Sequence, residues 1–210
     1  MLKRLRFYLL PTDKDVRDNR WIFTSMLVGA LLSLIASLAL SADAIDLASG
    51  TGAKLSCDIN AVLSCSTVNS HPTASIFGFP NSFLGLMAEP IVITVAVAGL
   101  AGVRFPRAFM AAAQVGYTLG FIFALWLFYV SYAVIGALCP WCLLVTLTTT
   151  FVWFALTRYN IRENNLYLPK KAAAKAKAFV AAGYDKLVLF SFVVLVLAMI
   201  IVKYGADLFV

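Results

Sequence analysis

The chain has 210 residues, and only 13% of them are charged, about half the charged share of a soluble globular domain, which is roughly 25%. With 62% hydrophobic residues and a mean hydropathy of +0.90, it is excluded from the soluble proteins and is predicted to be an integral membrane protein. The net charge of +7 would suit a nucleic-acid-binding protein. The basic residues lie between apolar runs, however, so the predicted partner is the lipid bilayer and not nucleic acid.

A membrane-spanning helix needs about 20 mostly apolar residues, and five runs of the chain meet or approach that length. In chain order, these runs cover residues 22–40, 83–103, 108–133, 139–156 and 187–202. They are continuous and lack the two-residue alternation of membrane β-strands. The sequence therefore predicts an all-α membrane protein with five transmembrane helices.

The distribution of Lys and Arg predicts how these helices are oriented. Fifteen of the 17 basic residues lie in the amino-terminal arm, the loop after the second span and the loop after the fourth span, and only Lys54 and Lys203 lie on the other side. Because basic loops stay in the cytoplasm, we expect a cytoplasmic amino terminus and an extracytoplasmic carboxyl terminus. We predict a single membrane domain over residues 1–210, with a core bundle at 22–156, a basic cytoplasmic linker at 157–183 and a fifth helix at 184–203.

The longest segment outside the predicted spans, residues 41–82, is expected to cover the bundle on its outer face. It is rich in Ser, Asn, Asp, Gly and Pro, which favour loops and turns. Within it, "CDINAVLSC" is predicted to form a short helix capped by Ser56. On the inner side, "PKKAAAKAKAFVAAGYDK" suits either a solvated linker or a basic helix on anionic lipid. Its thin apolar face favours the linker.

The four cysteines, Cys57, Cys65, Cys139 and Cys142, fall at or near the predicted outer face, where disulfides persist. Two of them flank Pro140 and Trp141 at the beginning of the fourth span. Proline suits the first turn of a helix, so Cys139 is expected at the N-cap, near the positive end of the helix dipole, which lowers a thiol pKa. Cys142 lies one turn deeper on the same face, close enough to form a disulfide.

Cys57 and Cys65 form a second pair, separated by seven residues of the first loop. If residues 57–65 formed one continuous helix, the two Cα atoms would be about 12 Å apart, beyond the limit of about 7 Å for a disulfide. The segment must therefore bend, or leave its cysteines unpaired during part of a cycle. Two pairs on one face predict electron flow by thiol–disulfide exchange. Electrons would pass from an external thiol protein to the loop pair, then to Cys139–Cys142 and finally to a lipid-soluble quinone.

Two other interpretations of the cysteines compete with this relay. The chain could be a non-catalytic membrane scaffold whose loop is held by static disulfides. A zinc site built from all four thiolates is disfavoured, because only Cys139 and Cys142 have the short spacing usual for structural zinc. No metal is therefore expected.

The order of the motifs carries a resemblance to a known family. "CDINAVLSC", then "SIFGFPNS", and "CPWC" at the beginning of the fourth span resemble the vitamin K epoxide reductase family, in particular its bacterial members, over residues 22–156. The resemblance implies a four-helix bundle around a quinone, menaquinone or ubiquinone, with the loop folded over it and the fifth helix peripheral. It also implies that Cys142 contacts the quinone, that Cys65 exchanges with Cys139, and that Cys57 meets the partner protein.

The activity implied is that of a quinone-linked, disulfide-generating oxidoreductase in the inner (plasma) membrane of a bacterium. Several relatives carry a thioredoxin-like domain after the fifth helix, whereas this chain ends at Val210. We therefore expect the thiol partner to be a separate DsbA-like thioredoxin-fold protein on the outer face.

The chain departs from the family pattern at two positions. His71, with Ser70 beside it, stands where relatives commonly have Ser or Thr, and Thr146 stands where the animal epoxide reductases have Tyr. The missing Tyr argues against quinone epoxide reduction, the third candidate activity. Ser70, His71, Phe128 and Thr146 are candidate quinone contacts.

Glu89 and His71 are candidates for proton transfer. The alternatives are a solvated loop histidine, and a carboxylate near the surface that reaches water or a loop N–H group.

Overall fold

The computed structural model describes residues 14–50, 55 and 57–205. Five helices in this part of the chain are long and apolar enough to cross a membrane, as predicted. The helices, in chain order, are α1 (Lys14–Ala48), α2 (Cys65–Asn69), α3 (Ser82–Leu100), α4 (Arg107–Tyr129), α5 (Pro140–Arg162), α6 (Lys170–Ala181) and α7 (Tyr184–Tyr204). A 3-10 turn (Pro72–Ser75) follows α2, and a π-helical turn (Val130–Ile135) extends α4.

Helix α1 is the centre of the bundle, and it packs along both α3 and α5. Helix α4 packs against α5 on the other side. Helix α7 makes few contacts with the other helices, and only 6% of its most apolar 18-residue stretch is buried. The prediction of a four-helix bundle with a peripheral fifth helix is therefore confirmed.

Helix α1 is much longer than the apolar run that predicted it. Its 35 residues extend about 52 Å, whereas a hydrocarbon core is about 30 Å thick. Hydropathy detects only the part that lies in lipid, and the polar ends continue the helix on both sides. One consequence is that the last turns of α1, including Asp43, reach the loop that contains the first cysteine pair.

Amide side chains fasten α4 to α5 inside the bundle. The Asn160 amide Nδ2 donates to Gln114 Oε1 (3.0 Å), and Gln114 Nε2 donates to Thr157 Oγ1 (2.9 Å). Closer to the cavity, Trp153 Nε1 donates to Thr118 Oγ1 (2.9 Å). Polar contacts of this kind join helices where lipid supplies no hydrophobic driving force between them.

Ion pairs hold the helices together at the basic end of the bundle. Arg158 pairs with Asp185 at the beginning of α7 (2.5 Å), and Arg162 pairs with Asp15 at the beginning of α1 (2.8 Å). The cysteine pairs lie at the opposite end, near the carboxyl end of α1 and the beginning of α5. Lys3, Arg4, Arg6 and Lys54 lie outside the described residues, and the assignment of each end to a compartment stays a prediction.

One local prediction was wrong. Residues 57–64 do not form a helix, because Asp58 and Asn60 bind backbone N–H groups of the loop and fold it into turns; the short helix α2 begins only at Cys65, with Ser64 as its N-cap. Ser56, the predicted cap, lies outside the described residues. The segment expected as a linker contains α6, which is consistent with the high helix propensity of Ala and Lys.

Gly85 allows α3 to approach α1 closely. A Cβ atom at this position would lie 2.1 Å from Ser37 Oγ and 2.9 Å from Ser37 Cβ. We expect Gly85→Ala to cost about 1–3 kcal/mol through overpacking and to lower the thermal unfolding temperature in detergent. The control is Gly120→Ala, because nothing lies within 4 Å of a Cβ built at Gly120. The double change Gly85→Ala with Ser37→Gly should restore stability, and failure to do so would contradict this assignment.

Candidate active site

The first cysteine pair is carried by a loop folded around Asp58. The Asp58 carboxylate accepts hydrogen bonds from the Ser64 hydroxyl (2.9 Å), from the Ser66 N–H (3.0 Å) and hydroxyl (2.6 Å), and from the Leu55 N–H (3.2 Å). Burial acts to raise the pKa of Asp58, but the hydrogen bonds from Ser66, Ser64 and Leu55 outweigh it and hold that pKa below its ordinary value. The loop is therefore held best by the ionised carboxylate, and it loses this support as the pH falls through the lowered pKa.

A second polar side chain completes the bend. Asn60 Oδ1 accepts hydrogen bonds from the N–H groups of Val62 (3.0 Å) and Leu63 (2.8 Å). The two turns reverse the chain, and they bring the Cα atoms of Cys57 and Cys65 to 5.7 Å, where the sulfurs are joined in a disulfide. The spacing required either a bent segment or unpaired cysteines, and in the structure the segment bends and the cysteines are paired.

The second pair lies at the beginning of α5. Cys139 is the N-cap, as predicted, and its sulfur accepts a hydrogen bond from the Cys142 N–H (3.3 Å). The hydrogen bond from the Cys142 thiol, helped by the N–H groups of Cys142 and Trp141, outweighs burial and lowers the pKa of the Cys139 thiol. Cys139 and Cys142 are both free thiols here.

A two-bond backbone bridge brings the two pairs together. Leu63 and Leu138 pair in parallel, with the Leu138 N–H donating to the Val62 carbonyl (2.7 Å) and the Ser64 N–H donating to the Leu138 carbonyl (3.0 Å). A cysteine follows each strand of this bridge, Cys139 directly after Leu138 and Cys65 two residues after Leu63. As a result, Cys65 Sγ and Cys139 Sγ lie 3.1 Å apart, although 74 positions separate them in the sequence.

The chain is turned into this bridge by the end of α4. The helix widens into the π-helical turn, and Gly136 ends it in the left-handed conformation (φ 75°). The Ser131 hydroxyl donates to the Ala137 carbonyl (2.5 Å). From α7, the Tyr204 hydroxyl (2.8 Å) and the Lys203 ammonium donate to the carbonyl of Tyr132. The peripheral helix thus supports the segment that leads to Cys139.

A cavity of about 480 Å³ begins beneath the second pair and extends along the inside of the bundle. Its walls come from α1, α3, α4 and α5, with Cys139 and Cys142 at one end and Leu156 towards the other. The cavity occupies the space between α3 and α4. Ile91 and Phe109 line it and are also exposed on the bundle surface, so it opens sideways.

Three polar groups that line this cavity have an atom without a hydrogen-bond partner among the described residues. They are the Glu89 Oε2 atom, the Tyr117 hydroxyl and the Asn69 amide nitrogen. Glu89 is only 4% exposed, and its other oxygen accepts a hydrogen bond from the Ser33 hydroxyl (2.8 Å). The cavity is therefore mainly apolar, with a few hydrogen-bonding groups free to bind a ligand.

The predicted ligand contacts divide into two groups. Phe128 and Thr146 line the cavity, whereas Ser70 and His71 do not. The Ser70 hydroxyl donates to the Ser66 carbonyl (2.7 Å), and His71 Nδ1 lies 2.8 Å from Thr73 Oγ1 at the beginning of the 3-10 turn. Both residues belong to α2's carboxyl end and the beginning of the 3-10 turn, and their role as ligand contacts stays a prediction.

Sequence reasoning missed the wall that α4 supplies. Its small residues recur at every fourth position, which places them on one helix face, and these positions are Ala112, Gly116, Gly120 and Ala124. In membranes such a stripe usually lets two helices approach closely. Here it leaves space, since nothing lies within 4 Å of a Cβ built at Gly116 or Gly120. Asn69 was missed as well, because a lone amide in a loop gives no signal.

The lowered pKa of Cys139 can be tested directly. In a Cys57→Ala, Cys65→Ala background, ultraviolet thiolate absorbance should show Cys139 titrating below the value of about 8.5 of an ordinary cysteine. Adding Cys142→Ala should raise the midpoint, because one donor to the thiolate is removed while the backbone N–H groups remain. Cys139→Ala supplies the baseline. A midpoint that stays or falls in Cys142→Ala would exclude the hydrogen bond as the cause.

Comparison with known proteins agrees with this geometry. Residues 24–157, more than half of the chain, match the Vitamin K epoxide reductase family. The matched range begins inside α1 and ends inside α5, so it contains both cysteine pairs and all four helices that line the cavity. No curated protein matches the chain. The family match and the two cysteine pairs agree: the chain belongs to the vitamin K epoxide reductase family.

Proposed function

We propose that this protein reoxidises a separate DsbA-like thioredoxin-fold protein and passes the electrons to a membrane quinone, so that it drives disulfide formation in exported proteins. Family membership makes the chain a membrane thiol oxidoreductase linked to quinone. The proposal adds the protein partner, the direction of electron flow and the residues. It places the cysteine end of the bundle on the extracytoplasmic face of a bacterial plasma membrane, in agreement with the distribution of basic residues.

The observation that carries the proposal is the row of three sulfurs formed by Cys57, Cys65 and Cys139. Cys57 and Cys65 are bonded, and Cys139 Sγ lies 3.1 Å from Cys65 Sγ. Thiol–disulfide exchange needs a thiolate in contact with a disulfide sulfur, and Cys139 has a lowered pKa at that contact. We assign Cys57 to the partner, Cys65 and Cys139 to exchange between the pairs, and Cys142 to the acceptor.

The cavity fits a quinone. Its volume of about 480 Å³ lies in the range of small-molecule sites, about 300–1,000 Å³. Cys142, Thr146 and Phe128 line it, and the Tyr117 hydroxyl and the Asn69 amide nitrogen are donors suited to carbonyl oxygens. When bound, a quinone accepts two electrons and two protons. The residues of this chain would hold its ring near Cys142, keep bulk water out and supply a proton.

We assign proton supply to Glu89 and not to His71. Glu89 lines the cavity, is buried, and has one oxygen without a partner among the described residues. An intramembrane carboxylate is costly and is usually retained for function. The surface location considered from the sequence does not describe it, because its partner is Ser33 of α1 inside the bundle.

The two other candidate activities have less support. A scaffold with static disulfides would not need free thiols beside a disulfide or an apolar cavity beneath them. Epoxide reduction would use the same cysteines and the same direction of electron flow, with a quinone epoxide as the acceptor, and Thr146 occupies the position of the Tyr found in the animal enzymes.

The relay predicts two different losses among the cysteine variants. Cys57→Ala and Cys65→Ala should reduce quinone-dependent oxidation of a reduced DsbA-like protein to the uncatalysed background. A small dithiol should still reach Cys139 and Cys142 in these variants and drive quinone reduction. Cys139→Ala and Cys142→Ala should abolish both activities. A wild type that is inert with several partners and quinones would instead support the static scaffold.

If Glu89 supplies a proton to the quinone, Glu89→Gln should slow the step that follows exchange between the cysteine pairs. We expect dithiol-driven quinone reduction to fall by about 100-fold, which is typical for loss of a general acid, with a changed pH profile. Exchange between partner and loop pair should continue, and it is measured by trapping the mixed disulfide. The matched control is Glu163→Gln, at the exposed carboxyl end of α5. An unchanged rate and pH profile in Glu89→Gln would remove Glu89 from the mechanism.

A further inference from the structure

A carboxylate from α1 touches the loop disulfide. Asp43 lies beyond the apolar part of α1, and its Oδ2 atom is 3.4 Å from Cys57 Sγ. One Asp43 oxygen and the sulfurs of Cys57 and Cys65 all lie within 4.8 Å of one another. Neither the cysteine spacing nor the family motif singles out this residue.

The surroundings of this contact limit access from water. Cys57 is only 6% exposed, and it belongs to an apolar cluster with Leu40, Leu55 and Cys139. Asp43 itself is half-buried. A thiol at Cys57 would therefore meet the Asp43 carboxylate more readily than hydroxide from solution.

Other ionisable groups act on Asp43 from each neighbouring element. They are Asp46 on α1, Asp58 and the two cysteines of the loop, and Cys139 and Cys142 of α5. The Asp58 carboxylate already accepts hydrogen bonds from the loop. Asp46 lies one turn further along α1 and is exposed. Asp43 is thus the carboxylate in direct contact with Cys57.

We propose that Asp43 is a further catalytic residue, the base that removes the proton from Cys57 when the loop disulfide re-forms; this inference rests on the proposed function. Before this step, Cys65 is bonded to Cys139, and Cys57 has been released from the partner as a thiol. The Asp43 carboxylate takes the thiol proton, and the Cys57 thiolate attacks Cys65 Sγ. The Cys57–Cys65 bond forms, the Cys65–Cys139 bond breaks, and the electron pair leaves on Cys139.

The products of this step match the structure. Cys57 is bonded to Cys65, Cys139 is free, and its sulfur remains in contact with Cys65. The departing Cys139 thiolate is stabilised by the Cys142 hydrogen bonds at the beginning of α5. Only the thiolate is a nucleophile. Transfer of the proton to Asp43 keeps one negative charge at this site throughout, instead of adding a second beside the carboxylate. The proton then leaves Asp43 for water on the loop side.

The test compares Asp43→Asn with Asp46→Asn in the full-length chain, supplied with a reduced DsbA-like protein and a quinone. We expect Asp43→Asn to slow partner-driven turnover by about 100-fold near neutral pH, typical for loss of a general base. The rate should recover as the pH rises, because hydroxide replaces the carboxylate. Dithiol-driven turnover should fall less than partner-driven turnover. Asp43→Glu should restore part of the rate, and Asp46→Asn should behave as wild type.

A second readout separates a catalytic role from a structural one. Acid-quenched samples of Asp43→Asn should accumulate the Cys65–Cys139 disulfide with Cys57 reduced, detected by mass spectrometry after alkylation. Wild-type turnover with an unchanged pH profile would overturn the inference, as would equal losses in both assays without this intermediate. If the wild type itself fails to oxidise the partner, the proposed function fails, and that outcome is distinct from an active wild type with an equally active Asp43→Asn.

Discussion

The parallel bridge between Leu63 and Leu138 is the contact on which the proposed chemistry of this protein depends. Two backbone hydrogen bonds join a loop that follows the first span to the turn that precedes the fourth. Because a cysteine follows closely on each strand, the bridge fixes the separation of Cys65 and Cys139 through the main chain, and both cysteines also pack in one buried cluster. In the proposed relay, exchange between the two pairs thus requires no large movement of the loop at this point.

The surrounding elements hold the two strands of this bridge in place. Asp58 and Asn60 fold one strand from within the loop, and Gly136 turns the other out of α4. Helix α7 contributes from outside the four-helix bundle, since its last residues bind the carbonyl of Tyr132. A helix that buries little surface is therefore still connected to the active site.

The parts of this fold that depend on local sequence were predictable. The five spans follow from hydropathy, and the N-cap position of Cys139 follows from Pro140. The bridge was not predictable from local pattern, because backbone pairing across 74 positions leaves no trace in side-chain periodicity. His71 and Ser70 were placed by spacing alone, but their direction depends on how α2 and the 3-10 turn dock. The polar ends of α1 escaped detection because hydropathy measures lipid contact and not helix length, and Asp43 lies in one of those ends.

The sideways opening of the cavity between α3 and α4 has a consequence for how the two reactants arrive. A water-soluble protein can approach only from the end of the bundle, where the loop disulfide lies. A lipid-soluble acceptor can enter through the flank beside Ile91 and Phe109 without crossing that surface. The loop disulfide and the flank beside Ile91 and Phe109 lie at different places on the bundle, so neither reactant needs to block the other. In the proposed cycle, the water-soluble partner protein can therefore remain docked on the loop. Meanwhile, the reduced acceptor leaves the cavity and an oxidised one enters it within the plane of the membrane.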